Sequence, residues 1–174
     1  MARPSPGTYP EYFENYIKLV EEEDIFSAFL NQQHIIDDYF SSIVSSMADY
    51  SYAPGKWTLK EMLQHIIDAE RIFNYRALCF ARGETLSLPG FDENSYAANS
   101  FANKRQWEDL CEELKSVRRS TVYLYESFDA SVIEASGNAN NKPVTVKALA
   151  FITVGHLYHH KNIIEERYLP EVPL

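Results

Sequence analysis

Cysteine is scarce in this chain of 174 residues, which contains only Cys79 and Cys111. The two lie far apart inside helical patterns, without a CxxC or a framework spacing, so they fit reduced, buried thiols better than a disulfide. Basic clusters are lacking as well. The 16 Lys and Arg are outnumbered by 25 Asp and Glu, the formal charge is −9, and no dense basic run is present to attract phosphate backbones or anionic lipid. Nucleic acid is not an expected partner. No apolar run approaches the roughly 18 to 20 residues that span a bilayer, and the start, MARPSPGTYPEYFENY, lacks the charged-then-apolar pattern of a secretory leader. No membrane partner is expected, and the cytoplasm is the default compartment. Also missing are a CxxCH haem attachment, a Gly-rich phosphate loop, a GxSxG elbow and HExxH. No segment alternates apolar and polar residues for long enough to argue a sheet.

What remains is helical. Hydrophobic residues make up 45% of the chain, with 12 Tyr and 10 Phe, enough for one substantial core and one domain over residues 1–174, with an N-terminal arm over about 1–21. Four stretches carry helical periodicity. The first runs from about Glu22 to Met47, with Ile25, Phe26, Phe29, Leu30, Ile36, Phe40, Ile43 and Met47 on a broad apolar face. The second opens with Thr58 and Glu61, an S/T-x-x-E capping box, and reaches about Arg82, where Gly83 is placed as a stop. In the third, Trp107, Leu110, Leu114, Val117, Thr121, Leu124 and Phe128 form the seam of a bundle helix. The fourth follows a polar loop over Ser136 to Pro143 and runs from about Thr145 to Tyr168, ended by Pro170. The fold class is all-α. The connection from Gly83 to about Asn103 is too long for a helix-helix turn and is expected to cross an end of the bundle.

Three histidines carry the chemistry. His156 and His160 are four residues apart, so on a helix both imidazoles share one face, in a stripe with Leu149, Ile152, Ile163 and Arg167; His159 lies at the flank. On the second helix His65 shares a stripe with Met62, Ala69, Ile72 and Arg76. Each alone would fit a satisfied core histidine, since a buried imidazole needs a partner. Together they predict a three-histidine site for a divalent metal, with open positions for water or substrate. Di-iron schemes fail because no Glu stands three residues before a His. Asp68 and Glu61, one turn to either side of His65, are the candidate general bases, although Glu61 already has a capping role and Asp68 reads equally as a solvated helix residue. Arg76 and Arg167 could hold an anionic substrate; a salt bridge to a bundle carboxylate is the favoured use.

Trp57-Thr58-Leu59-Lys60-Glu61, His65 shortly after it, the stretch from Glu70-Arg71 to Arg76, and the closing Gly155-His156-Leu157-Tyr158-His159-His160 with Tyr168-Leu169 resemble the DinB/YfiT-like superfamily of metal-dependent enzymes. The resemblance spans about Ser27 to Leu169. It implies a four-helix bundle with up-down-down-up topology, often dimeric, whose single long crossover the Gly83 to Asn103 segment supplies. It also implies that His65, His156 and His160 bind a divalent metal, zinc first, with nickel, iron or manganese also compatible. Relatives of this kind include thiol transferases that use bacillithiol or mycothiol, a mycothiol-dependent isomerase, and metal-dependent hydrolases. The expected function is therefore a metal-dependent thiol-S-transferase or hydrolase acting on a small molecule, possession of a low-molecular-weight thiol partner separating the two. The alternative is a non-catalytic binding or sensing module stapled by the metal. Phe91, Tyr96 and Phe101 in the crossover are surplus aromatics that could form a homodimer interface.

Overall fold

Aromatic residues of the N-terminal arm fold onto the bundle. In the computed structural model, which describes residues 1–169, a 3-10 turn at Glu11–Phe13 leads into the single-turn helix α1, Glu14–Ile17, and Phe13, Ile17 and Val20 are buried. Asp24 caps the next helix by accepting the Ser27 N–H at 3.0 Å, so α2 begins at Ile25, three residues later than the periodicity suggests. It runs Ile25–His34, continues through a π-helical turn at Ile35–Tyr39 and ends in α3, Phe40–Ser42. Ile43 is already extended, and Met47 belongs to a separate 3-10 turn. One member of the expected apolar face fails: Leu30 is 75% exposed, and the core position is taken by Gln32.

The second long helix, α4, spans Leu59–Ala81. Thr58 Oγ1 accepts the Glu61 N–H at 3.1 Å and the Glu61 carboxylate accepts the Thr58 N–H at 2.8 Å, the expected reciprocal cap. Gly83, at φ +82°, terminates it in the left-handed region. The crossover is structured, with α5 at Glu93–Asn99 and a 3-10 turn at Ala102–Lys104. The third long helix, α6, spans Trp107–Glu126. Its seam is buried at Trp107, Leu110, Leu114, Val117 and Thr121, but near its end Tyr125 turns inward and Leu124 is only half-buried.

The segment expected as a polar loop is a β-hairpin. β1, Ser136–Ala139, pairs antiparallel with β2, Lys142–Thr145, through Asn140 and Asn141 at φ +50° and +58°. Both central residues are left-handed, as a two-residue hairpin turn of this hand requires, and Asn tolerates that conformation better than other side chains. Four residues per strand are too few to show alternation. Thr145 then caps α7, Val146–Ile163, by accepting the Ala148 N–H, and a π-helical turn follows at Ile164–Tyr168. Pro170, expected to stop this helix, lies outside the described residues.

α4 packs against both α6 and α7, and α2 with its π-turn packs against the same two helices. Two apolar clusters fill the interior. One gathers Phe29, Phe73, Tyr125, Phe151 and Ile152; the other gathers Phe40, Leu63, Leu110, Leu114 and Leu157. Between them runs a polar layer built from side chains of α2, α4 and α6 and a backbone carbonyl of α7. Arg118 donates to both Glu70 carboxylate oxygens, at 2.8 and 2.9 Å, and to Gln32, whose own amide donates to the Val154 carbonyl at 2.9 Å. Thr121 donates to Glu70 at 2.6 Å. All four long helices meet in this buried layer.

Candidate metal centre

His65 sits on the second turn of α4, and the capping box fixes the rotation of that turn. His156 and His160 share one face of α7, where Leu157 and, in the π-helical turn that follows, Ile164 bury themselves in the core. The ring Nε2 of His65 stands 3.1 Å from that of His156, which is 3.0 Å from the Nε2 of His160. All three ligand atoms lie within 4.8 Å of one another. Of the other two histidines, His34 is exposed and His159 is half-buried with its ring against Tyr16 at 5.0 Å. Packing holds the imidazoles: Trp57 lies 4.8 Å from His65, while Phe73 and Tyr16 meet His156 edge-on at 5.6 and 5.4 Å.

Burial pushes all three imidazoles toward the neutral form, His65 to a pKa of about 4 and the other two well below the ordinary value, with neighbouring imidazoles adding repulsion. Neutral imidazole is the ligating form. The nitrogen arrangement also fits a cation better than shared protons. His156 Nε2 either carries one proton or offers one lone pair, and so cannot make a good hydrogen bond to both neighbours. A central divalent ion would accept a lone pair from each. Bonds of roughly 2.0 to 2.1 Å imply ligand separations of about 3.0 to 3.4 Å, in agreement with the two observed. His160 Nδ1 is buried without a hydrogen-bond partner among the described residues, an orphan that would carry the ring proton in that tautomer.

The three rings open onto a cavity of about 390 Å³. Its walls include Trp57, Phe73 and Arg76, as well as residues that the sequence did not single out: Tyr12, Tyr16 and Phe13 of the arm, Glu93 of α5, and Asn140 of the hairpin turn. The arm's contribution had a signal, because Tyr12, Phe13, Tyr16 and Ile17 stand at helical spacing. Glu93 and Asn140 had none; they arrive through the crossover and the hairpin. Neither carboxylate expected as a base is among the cavity-lining residues. Glu61 is held by the cap and by Asn103 Nδ2 at 3.1 Å, and Asp68 accepts from Gln64 at 2.9 Å with Arg71 3.7 Å away, burial raising its pKa. The favoured salt bridges of Arg76 and Arg167 are not found among the described residues. Arg167 is exposed and donates to the Tyr52 hydroxyl at 3.2 Å, whereas Arg76 is buried and faces the cavity. Cys111 is buried, its thiol pushed up to about 11 by burial, and Cys79 is half-buried rather than buried.

No helix among the described residues is long and apolar enough to cross a membrane. A search of curated protein sequences returns no match. Among solved structures, the chain is similar to YfiT from Bacillus subtilis, described as a probable metal-dependent hydrolase with an unusual four-helix bundle topology. The TM-score is 0.69 at 16% identity, over 96% of this chain and 91% of YfiT, which makes the likeness one of fold. The sequence model of the DinB superfamily matches residues 28–164, and the chain belongs to that superfamily.

Proposed function

We propose that this protein is a divalent-metal-dependent hydrolase of a small molecule, with His65, His156 and His160 as the metal ligands. The observation that carries this reading is the convergence of three neutral Nε2 atoms on the wall of an open cavity. A divalent ion held there supplies Lewis acidity to a substrate carbonyl and to the attacking nucleophile. The chain's own residues do the rest. His156 and His160 are fixed on one helix face, His65 is half-buried on the cavity side, and Trp57, Tyr16 and Phe73 pack against the rings. Three carboxylates compete to accept a proton. Glu61 is committed to the cap and Asp68 to Gln64, whereas Glu93 lines the cavity, so we place Glu93 first, Asp68 second and Glu61 third.

Hydrolysis is preferred to thiol transfer on the size and charge of the cavity. A space of about 390 Å³ lined by a single guanidinium and a single carboxylate suits one small substrate better than a charged thiol plus its electrophile. YfiT's description as a probable hydrolase points the same way. The non-catalytic module is disfavoured because the histidines open onto the cavity and no fourth protein ligand joins them in the cluster among the described residues. The up-down-down-up order belongs to the same proposal. Contacts supporting it climb together along α4 and α6, from Thr58–Asn103 through Arg71–Glu113 to Asn74–Thr121, and run oppositely along α4 and α7, from Trp57–Tyr168 to His65–His156. We also read the chain as one domain and Tyr96 and Phe101, both exposed, as the surface for a homodimer, which light scattering at micromolar concentration would measure.

Elemental analysis of protein purified without an affinity tag should find close to one equivalent of divalent metal, zinc first. His65→Ala, His156→Ala and His160→Ala should each lose it, while His34→Ala and His159→Ala should retain it. Amide and ester hydrolysis should vanish with chelation and return with metal. Metal retention in His156→Ala would sink the site, and transfer from glutathione-like or bacillithiol-like thiols, without hydrolysis, would move the assignment to a thiol transferase. Glu93→Gln, Asp68→Asn and Glu61→Gln, compared for kcat, rank the carboxylates.

A further inference from the structure

Arg76 lies three turns beyond His65 on the same face of α4, with the two Cα atoms about 16 Å apart along the axis. Side chains on a helix lean toward its N-terminus, so the guanidinium reaches back toward the histidines. It is only 6% exposed. Of the other arginines, Arg71 and Arg105 meet Glu113, and the buried Arg118 meets Glu70. Arg76 has no carboxylate at ion-pair distance among the described residues. Its one protein hydrogen bond among the described residues is from Nη2 to the Pro89 carbonyl, at 2.9 Å, whereas a guanidinium has five N–H donors. Burial pulls its pKa below the ordinary value, yet an arginine stays charged. A buried cation without a counter-ion is costly, and here it borders an open cavity.

That single bond anchors the fork. Pro89 belongs to a crossover strand tied to the hairpin by Leu88 N–H to the Asn138 carbonyl at 2.8 Å and Asn140 N–H to the Leu88 carbonyl at 2.9 Å. The two segments are so close that a Cβ on Gly90 would fall 2.8 Å from Asn140 Oδ1. Pro89 is thereby fixed, and Arg76 with it. Phe13, Phe73 and Phe91 line the same cavity, and among the described residues Glu93 is the only carboxylate in its lining. In the metal-free protein one guanidinium and one carboxylate leave the cavity lining without net charge, so the guanidinium has capacity for a single carboxylate rather than for a dianion such as a phosphate monoester.

We propose that the substrate is a small monoanionic carboxylic acid, its carboxylate held by the free N–H groups of Arg76 and its apolar body directed along the aromatic wall to the histidines. The word substrate rests on the enzymatic reading above; the carboxylate subsite itself rests on Arg76. Planar pairing of guanidinium and carboxylate gives the selectivity, because two parallel N–H donors match two carboxylate oxygens and a neutral amide offers only one acceptor.

The test uses the full chain, freed of metal by a chelator so that no carboxylate can bind through an ion. Ligand-observed NMR titrations compare 3-phenylpropionate and 4-phenylbutyrate with their primary amides. The acids should bind roughly tenfold more tightly than the amides, the scale of a charge-assisted bidentate pair, and His156→Ala should preserve that preference. Arg76→Gln should bring the ratio to near unity. Arg76→Lys, which keeps the charge and guards against a Gln variant that fails to fold, should reduce the ratio several-fold. Equal binding of acid and amide, no binding of either acid at millimolar concentration, or an unchanged preference in Arg76→Lys or folded Arg76→Gln would overturn the proposal. Metal content measured on each preparation before chelation separates the readings. A missing metal with the acid preference intact removes the enzyme and leaves the subsite, while bound metal without the preference removes the subsite alone.

Discussion

At the scale of single residues, the neutral imidazoles make a prediction with a definite sign. In the metal-free protein the folded chain holds His65 neutral down to about pH 4, and holds His156 and His160 neutral well below the ordinary imidazole range, because burial disfavours the imidazolium. The unfolded chain takes up those protons near pH 6.5. The unfolded state therefore binds more protons below that pH, so the histidines' contribution is fully present above about 6.5 and is lost as pH falls toward 4. For His65 alone the loss amounts to about 3 kcal/mol across that window. Urea unfolding of chelated protein at pH 7, 6 and 5 should show the decline, and His65→Gln should make it shallower. Equal stability at pH 7 and pH 5 would refute the neutral-imidazole description.

At the scale of elements, Gly155 explains how the arm reaches the site. A Cβ at this position in α7 would stand 2.1 Å from the Tyr16 carbonyl oxygen, so the glycine lets α1 lie directly on α7 next to His156. In an open helix, Gly→Ala stabilises by up to about 1 kcal/mol. Here the sign reverses. Gly155→Ala should cost about 1 to 3 kcal/mol or drive α1 off the bundle, visible as a lower Tm and faster proteolysis near Tyr12 and Tyr16. A rise in Tm would show that the close approach does not exist. The elements themselves were unequally legible. The cap at Thr58 and the stop at Gly83 place α4 from local chemistry alone, and the α6 seam follows from its uninterrupted spacing. The hairpin at Ser136–Thr145 was read as a loop because its pairing is non-local and its strands are short, although Asn140-Asn141 is a turn pair of the right kind. Gly155 appears in the sequence as one more residue of a helix; its purpose lies on another element.

At the scale of the whole molecule, the polar layer of Gln32, Glu70, Arg118 and Thr121 links the helices that carry the site. Glu70 is on the histidine-bearing α4, and Gln32 holds the Val154 carbonyl two residues before His156. Arg118→Met would leave Glu70, 2% exposed, buried with only Thr121 as a partner, and should cost about 3 to 5 kcal/mol in denaturant unfolding. The double variant Glu70→Leu/Arg118→Met should recover a large part of that loss. If the single variant costs less than 1 kcal/mol, the network does not join the bundle. Leu114, fully enclosed in the apolar cluster with Phe40, Leu63 and Leu110, gives a reference for ordinary packing: Leu114→Ala should cost about 2 to 5 kcal/mol.

The sequence by itself determined the helices and the three histidines. Caps and periodicity act within a few residues, and the four-residue spacing of His156 and His160 is enough to put both rings on one face. The exposed Leu30 shows the limit of that logic. Periodicity cannot tell that Gln32 will be drawn into the core, because its partners, Arg118 and Val154, are far along the chain. Only the tertiary structure decided that His65 meets the α7 pair, that the arm, the crossover and the hairpin wall one cavity, and that Arg76 is buried there without a counter-ion. Each of those outcomes depends on distant segments packing together, and a buried charge is defined by which distant groups do or do not approach it.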